Sequence, residues 1–188
     1  MHRHYVQHQV ELLSAHLRGN QRVLDYGCGD LSLAQLLHEQ FPQLRITGVD
    51  VVDPGRRPPG VRFVLSKGTS VPFASKFFDT TIAYHVFHHC DNPQVALGEC
   101  ARVSRKRILF VEPVFRSIME KPLMRLADWL GNLWRGQAIP MPYEFQSQKA
   151  WRSCVTKHGW QVESVVSAGV LPSFLPLGQT LLFSVTPS

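Results

Sequence analysis

The sequence, 188 residues long, lacks the features that mark several large classes of protein. It has only four cysteines, and they form no CxxC pair and have no metal-ligand spacing. Only 18% of the residues are charged, but 44% are hydrophobic, an ordinary share that excludes intrinsic disorder. The longest uncharged apolar run, residues 165–185, is broken by prolines and glycines, so it does not indicate a membrane span.

Two further absences concern location and binding partners. Residues 1–9 are polar and rich in histidine rather than signal-like, which together with the cysteine pattern predicts a cytoplasmic protein with reduced thiols. The net charge is +6, yet the basic residues are scattered and no aromatic stripe alternates with them. We therefore favour a solvated basic surface over an anionic substrate or a membrane surface, and we do not expect nucleic acid.

What the sequence contains is a regular alternation of strand-like and helix-like segments. Strands are predicted at 22–26, 44–49, 61–65, 78–84, 107–111, 160–166 and 180–185. Helices are predicted at 5–17, 30–41, 93–103, 116–135 and 147–158, the second capped by Asp30 and the last by Ser147. This order predicts a single α/β domain, residues 1–188, built on a Rossmann-like, doubly wound, mostly parallel sheet of seven strands with helices on both faces.

Small and acidic residues follow the first two strands, where such sheets bind ligands. The first strand runs into Asp25, Gly27, Gly29 and Asp30, and the glycines permit a tight turn and close approach of a ligand to a helix start. Asp50 ends the second strand, 21 residues after Gly29, a spacing that suits a ribose diol.

The charges around this turn discriminate between ligands. The phosphates of a dinucleotide would be repelled by Asp25 and Asp30, and Ser32 stands where the third glycine of that fingerprint would be. A GxxxxGK[ST] phosphate loop is also missing. S-adenosylmethionine has a ribose, a sulfonium and an ammonium group but no phosphate, and it fits the acidic rim better.

Six segments in the right order carry a family resemblance across about residues 20 to 114. They are Val23 to Asp30, Thr47 to Asp50, Val71 to Phe73 with Phe78-Asp79, Tyr84 to His89, Ala101 to Val103, and Val111 to Pro113. As a set they resemble the class I S-adenosylmethionine-dependent methyltransferases, in the small-molecule branch called methyltransferase type 11. One departure is Lys67-Gly68, near where the family often has an aspartate for the adenine amino group.

The resemblance implies a role for several residues. It assigns the methionine end of S-adenosylmethionine to Asp25, Gly27 and Gly29, and the ribose hydroxyls to Asp50. It also places Val51 beside the adenine and Tyr84 against the cofactor.

Histidines are concentrated after the fourth strand. His85, His88, His89 and Cys90 have the residue types of a metal site, but the family pattern favours a loop with a buried structural His89, and we expect no metal. His85 comes directly after the strand and is a candidate general base, with Glu112 beside it to raise its pKa. The alternative is that His85 only lines the pocket.

Residues 114–146 are predicted to form a helical lid between the fifth strand and the following helix. Within it, Met119, Leu123, Leu126, Leu130 and Leu133 repeat at helical spacing. Trp129, Trp134 and Tyr143 are expected to supply apolar walls for the substrate. Simple packing of an extra helix and a helix on a membrane surface are the alternatives.

The function that these patterns favour is methyl transfer from S-adenosylmethionine to a small apolar or aromatic metabolite. One alternative is a cofactor-binding module without catalysis. Methylation of RNA or protein is another, although the [DN]PP[YF] signature of amino methylation is missing. The sequence leaves the substrate and the oligomeric state open.

Overall fold

The computed structural model describes residues 2–19, 21–66, 70–134, 142–169 and 178–188, with the side chains of 2–6 and 131–134 excepted. Its helices are α1 (His2–Ser14), α2 (Ser32–Gln40), α3 (Pro93–Val103), α4 (Lys121–Trp134) and α5 (Gln148–Lys157). Short 3-10 turns lie at Phe87–His89 and Ile118–Glu120. None of the helices described is long and apolar enough to cross a membrane.

The strands form one sheet in the order β3-β2-β1-β4-β5-β8-β7. They are β1 (Arg22–Tyr26), β2 (Arg45–Asp50), β3 (Val61–Leu65), β4 (Phe78–Tyr84), β5 (Ser104–Phe115), β6 (Gln146–Ser147), β7 (Trp160–Ser167) and β8 (Gln179–Pro187). The first five are parallel, β8 is antiparallel to both its neighbours, and the short β6 pairs with the end of β5. The predicted α/β fold is confirmed.

Two hydrophobic cores cover the two faces of the sheet, and β5 supplies both. Successive side chains of a strand point to opposite faces, so Ile108 and Phe110 join one core while Leu109 and Val111 join the other. The first core packs under α3 and α5 and the second under α1 and α2. Burial on both faces explains the continuous apolar run from Ile108 to Val111 in β5, and it also buries the polar Asp79, Thr80 and Thr81 of β4.

Local chemistry explains where two of the helices begin. Pro93 opens α3 and the side chain of Asn92 caps it, accepting the backbone N–H groups of Gln94 and Val95. The hydroxyl of Ser147 caps α5 by accepting from Ala150 N, as expected.

Two sequence expectations on element ends are wrong. Asp30 does not occupy the N-cap of α2; Leu31 does, at a φ of 63°, while Asp30 accepts from the backbone N–H and hydroxyl of Ser32. The fifth strand is also longer than predicted, because β5 continues to Phe115 through its pairing with β8 and β6.

The parallel register brings the ends of the central strands to one edge. Tyr26 of β1 lies opposite Val49 of β2 and Ala83 of β4, and Tyr84 lies opposite Val111 of β5. The strand order reverses at β1, which lies between β2 and β4; helix α2, before β2, and helix α3, after β4, pack on opposite faces of the sheet. This is the position at which open α/β sheets bind ligands.

Candidate active site

The glycine turn after β1 is held against β2 by its backbone. The N–H groups of Gly27 and Cys28 both donate to Val49 O, at 2.8 and 3.1 Å. Gly27 has a φ of 70°, and a Cβ atom there would lie 2.5 Å from Val86 Cγ1. Val86 belongs to the loop after β4, residues 85–92, called the β4 loop below. Gly29 also has a positive φ, but nothing lies within 4 Å of where its Cβ would be, so the turn is open on that side. The turn therefore needs glycine for shape at 27 and leaves space at 29 for a ligand.

Asp50, at the end of β2, connects this turn to the next loop. Its Oδ2 accepts from Gly29 N at 2.8 Å and its Oδ1 from Val51 N at 2.7 Å. These bonds fix the carboxylate at the sheet edge without burying it. The Val51 side chain beside it is exposed, as expected for a surface that a flat ring could cover.

Asp25 is buried at the end of β1, only 2% exposed. Its Oδ2 has no hydrogen-bond partner among the described residues. Burial, followed by the charges of Asp50 and Asp30, raises the pKa of Asp25 to about 7. A buried carboxylate that lacks a partner costs free energy, and a cationic ligand group beside it would remove that cost.

The loop after β4 places His85 at the same edge. Its backbone N–H donates to Val111 O at 2.9 Å, and its φ is 55°, a left-handed conformation that turns the chain sharply. The His85 ring lies 4.9 Å from the Tyr84 ring, centroid to centroid. Two of the predicted site residues are thus adjacent.

The electrostatics of His85 differ from the sequence expectation. Burial, and next the charge of His88, lower the pKa of His85 to about 4, although Glu112 acts in the raising direction. The predicted rise in its pKa is therefore wrong. The imidazole is neutral at neutral pH, so it is able to accept a proton but is a weak base.

Glu112 is fully buried on β5 and its carboxylate is engaged on three sides. Oε1 accepts from the backbone N–H groups of Val86 and Phe87, at 2.9 and 2.7 Å, and Oε2 accepts from His88 Nδ1 at 2.7 Å. Burial raises the pKa of Glu112, but His88 outweighs it and holds this pKa below its usual value. Glu112 thus pairs with His88 and anchors the β4 loop.

His88 joins the sheet to helix α4. It is 1% exposed, and its Nε2 lies 3.7 Å from Asp128 Oδ1. Burial alone would lower its pKa, but Glu112 and Asp128 together raise the pKa of His88 to about 9. His88, rather than the predicted His89, is the buried structural histidine; His89 is partly exposed and its Nδ1 lacks a partner among the described residues.

The chain of contacts from Glu112 through His88 to Asp128 was not predicted from the sequence. Its members are 24 and 16 residues apart, and no local motif joins them. The one available signal in the sequence was a second histidine, His88, next to His89 in the loop after β4, which lies at the predicted ligand-binding edge of the sheet.

The group of His88, His89 and Asp128 also has ligand atoms within 4.8 Å of one another, a spacing that could hold a metal ion. A metal would need an unprotonated His88, whereas the raised pKa of His88 favours its protonated form at neutral pH. The expectation of no metal stays a prediction.

The three residues predicted to form the apolar walls of the substrate site lie in different surroundings. Tyr143 lies 6.3 Å from the Phe145 ring, which in turn stacks on His88 at 5.1 Å, so this loop reaches the histidine cluster. Trp129 is 47% exposed on α4. The side chain of Trp134 and residues Lys67-Gly68 fall outside the described parts.

Sheet order, the glycine turn at the reversal point and the acidic residue ending β2 together define the class I S-adenosylmethionine-dependent methyltransferases. Residues 24–111 match the methyltransferase type 11 family model, described as a methyltransferase domain. Over these residues the resemblance seen in the sequence is confirmed: this part of the chain matches a methyltransferase domain, and S-adenosylmethionine is the cofactor of such domains.

Solved structures with this fold have little sequence identity to the chain. Geranyl diphosphate C-methyltransferase from Streptomyces coelicolor, with Mg²⁺, geranyl diphosphate and S-adenosyl-L-homocysteine, is 14% identical, with a TM-score of 0.73 over 97% of this chain and 79% of that one. Magnesium protoporphyrin IX methyltransferase from Synechocystis, with S-adenosylhomocysteine bound, is 15% identical, with a TM-score of 0.68 over 100% and 84%.

A third neighbour comes from a protein complex. The Haloferax volcanii methyltransferase bound to the Trm112 activator is 14% identical, with a TM-score of 0.71 over 96% of this chain and 90% of that one. No curated protein matches the sequence. At these identities the three structures show the fold and leave the substrate open.

Proposed function

We propose that the protein transfers a methyl group from S-adenosylmethionine to a small apolar or aromatic metabolite. The observation that carries the proposal is the buried Oδ2 of Asp25, which has no hydrogen-bond partner among the described residues and lies beside an open glycine turn. Two of the neighbours act on small molecules, geranyl diphosphate and magnesium protoporphyrin IX, which supports this substrate size.

The residues at the sheet edge fit the cofactor. Asp25 would face its ammonium group, Gly27 and Gly29 would admit its methionine part, and Asp50 would accept from its ribose hydroxyls. Val51 and Tyr84 would flank the adenine and the methionine chain. The cofactor supplies an activated sulfonium methyl, so the protein mainly has to align the acceptor and exclude water.

We assign His85 the role of a base for a hydroxyl acceptor. It is neutral at working pH and stands one residue past β4 at this edge. Glu112, predicted from the sequence as the partner of this base, would act through the loop that it anchors rather than on the substrate. It is thus a positioning residue in this proposal.

The acceptor is expected to lie beside His85, where the loop that carries Tyr143 provides an aromatic wall and Trp134 a further candidate. Trp129 contributes less to such a wall because almost half of it is exposed. Of the predicted lid, residues 114–146, we propose the segment that carries Tyr143 as the cover of the site, because α4 turns its apolar side away from the sheet. The four free cysteines support a reducing, cytoplasmic location as part of the same proposal.

The first prediction concerns the ribose contact. We expect Asp50→Ala to weaken binding of S-adenosylhomocysteine at least about tenfold, because hydrogen bonds to a charged acceptor each contribute about 1.5–3 kcal/mol. Isothermal titration calorimetry measures this directly. Asp50→Asn keeps the shape of the side chain and separates charge from packing.

Glu39→Ala is the matched control, since Glu39 is an exposed carboxylate at the far end of α2. It should bind the cofactor as tightly as the parent. An Asp50→Ala variant that binds as tightly as Glu39→Ala would remove Asp50 from the site. If the parent protein does not bind S-adenosylhomocysteine at all, the proposed function itself is wrong.

The second prediction uses the raised pKa of Asp25. Below about pH 7 the carboxyl group is protonated in the free protein and must release its proton to pair with an ammonium group. Cofactor affinity should therefore rise about tenfold from pH 6 to pH 7.5, with proton release visible as a dependence of the calorimetric heat on the buffer.

Asp25→Asn has no proton to release. Its affinity should be lower than that of the parent at pH 7.5 and nearly independent of pH over this range. A parent protein whose binding shows no proton release, or an Asp25→Asn variant with the same pH profile, would contradict the assignment of Asp25 to the ammonium group.

A further inference from the structure

Helix α4 and the 3-10 turn before it present most of their described large apolar side chains to solvent. Six of the eleven exposed large hydrophobic residues described in the chain lie in this one segment. They are Ile118, Met119, Leu123, Leu126, Trp129 and Leu130, and their exposed fractions range from 38% to 81%. Monomeric proteins rarely concentrate apolar surface in this way without a partner for it.

The direction of this face follows from what holds the helix down. Among the side chains of α4 that the structure describes, Met124 alone is buried, at 3% exposure, and Asp128, one turn further on, reaches His88. Both point toward the sheet. Leu123, Leu126 and Leu130 recur at helical spacing on the opposite side. The apolar repeat of the sequence therefore faces away from the body of the protein.

The acidic groups of the segment are withdrawn from this surface. Glu120 is 9% exposed and accepts from the backbone N–H and the guanidinium group of Arg116. Asp128 pairs inward with His88. Arg125 is exposed at the edge of the apolar face, one turn before Trp129, and the partly exposed Lys121 lies one turn before Arg125, with its Nζ 4.6 Å from the centroid of the Phe115 ring.

From these observations we infer that α4 is a docking surface for an anionic lipid bilayer, on which the helix lies in the plane of the interface. Apolar side chains on one side, a tryptophan beside them and cations along the flank are the chemistry that headgroup and acyl regions accommodate together. The inward pairing of Asp128 removes the one charge of α4 that anionic headgroups would repel, and the +6 net charge of the chain favours approach.

The orientation of α4 discriminates among the three roles that the sequence left open for the helix, namely a cover, an extra packed helix and a helix on a membrane surface. A cover over an apolar substrate needs its apolar stripe on the inner side, where α4 has Met124 and Asp128 instead. An extra helix that merely packs would also bury its stripe. A lipid surface is favoured over a second copy of the chain because the flanking charges of this face have one sign and would oppose each other across a two-fold axis.

The test is binding of the full chain to vesicles of phosphatidylcholine alone and of phosphatidylcholine with phosphatidylglycerol in a three-to-one mixture. We expect sedimentation with the anionic vesicles, a blue shift of tryptophan emission, and loss of binding as salt is raised. Leu126→Gln combined with Leu130→Gln should lower the partition coefficient at least about tenfold. Lys121→Gln combined with Arg125→Gln should also lower the partition coefficient at least about tenfold, but only for the anionic vesicles.

Lys149→Gln combined with Arg152→Gln is the matched control. These cations are exposed on α5, which has no large exposed apolar side chain among the described residues, so binding should be unchanged. Circular dichroism and cofactor affinity check that the leucine variant is folded. The inference is overturned if the parent does not bind anionic vesicles, if the leucine variant binds equally well, or if the leucine face proves to be buried in a dimer.

Discussion

Glu112→Ala is expected to lower the free energy of unfolding by about 3–5 kcal/mol, because it leaves a buried histidine cation and two buried backbone N–H groups without their acceptor. Chemical denaturation followed by circular dichroism measures the loss. Glu112→Gln should cost less, since one amide oxygen can still accept from the backbone of Val86 and Phe87. The loop that carries His85 should loosen in both variants.

The same pair predicts a dependence on pH. Because the pKa of His88 is raised in the folded protein, its contribution to stability is complete below its unfolded value of 6.5 and is lost as the pH rises through about 9. The parent should therefore become less stable between pH 7 and pH 10. In Glu112→Ala this alkaline decline should be much smaller.

Glu163→Ala provides the control for an ion pair that is not buried. The Glu163 side chain is 48% exposed and pairs with Arg107, so its removal should change stability by no more than about 1 kcal/mol. If Glu112→Ala is no more destabilising than Glu163→Ala, the buried pair of Glu112 and His88 does not anchor the β4 loop.

His85→Ala is expected to reduce turnover about 10²–10⁴-fold, the usual loss when a general base is removed, while S-adenosylhomocysteine binds nearly as tightly as to the parent. The assay follows methyl transfer to the best acceptor in a panel of phenols, carboxylic acids and amines. Since the pKa of His85 is about 4, the parent turnover number should stay flat from pH 6 to pH 8.

The backbone of His85 makes the choice of variants important. Its φ of 55° suits asparagine, so His85→Asn keeps the left-handed turn without offering a base. His85→Asn should lose as much turnover as His85→Ala, and the exposed His158→Ala should lose none. If His85→Ala retains turnover within about threefold, alignment alone carries the reaction and His85 lines the pocket.

Local sequence was sufficient for the frame of the site. The turn around Gly27 and Gly29 and the acid at Asp50 each follow a short apolar strand, and parallel strands necessarily end at one edge. The prediction of a cationic ligand with a ribose also came from local facts, namely the sign of the charges beside the turn. These features depend on spacing along the chain, which a single sequence displays directly.

Only the tertiary structure decided which partner each buried charge has. Glu112 was expected to serve His85, but the register of β5 against the β4 loop directs its carboxylate to His88, and Asp128 reaches the same ring from α4. The periodicity of α4 predicted an amphipathic helix but not which side of it faces the sheet. The contact of Asp128 with His88 and the burial of Met124 fix that orientation. The partner of a buried charge and the side of a helix that faces the sheet both depend on contacts between residues far apart in sequence. The local pattern allows several partners and several orientations, and packing selects one of them.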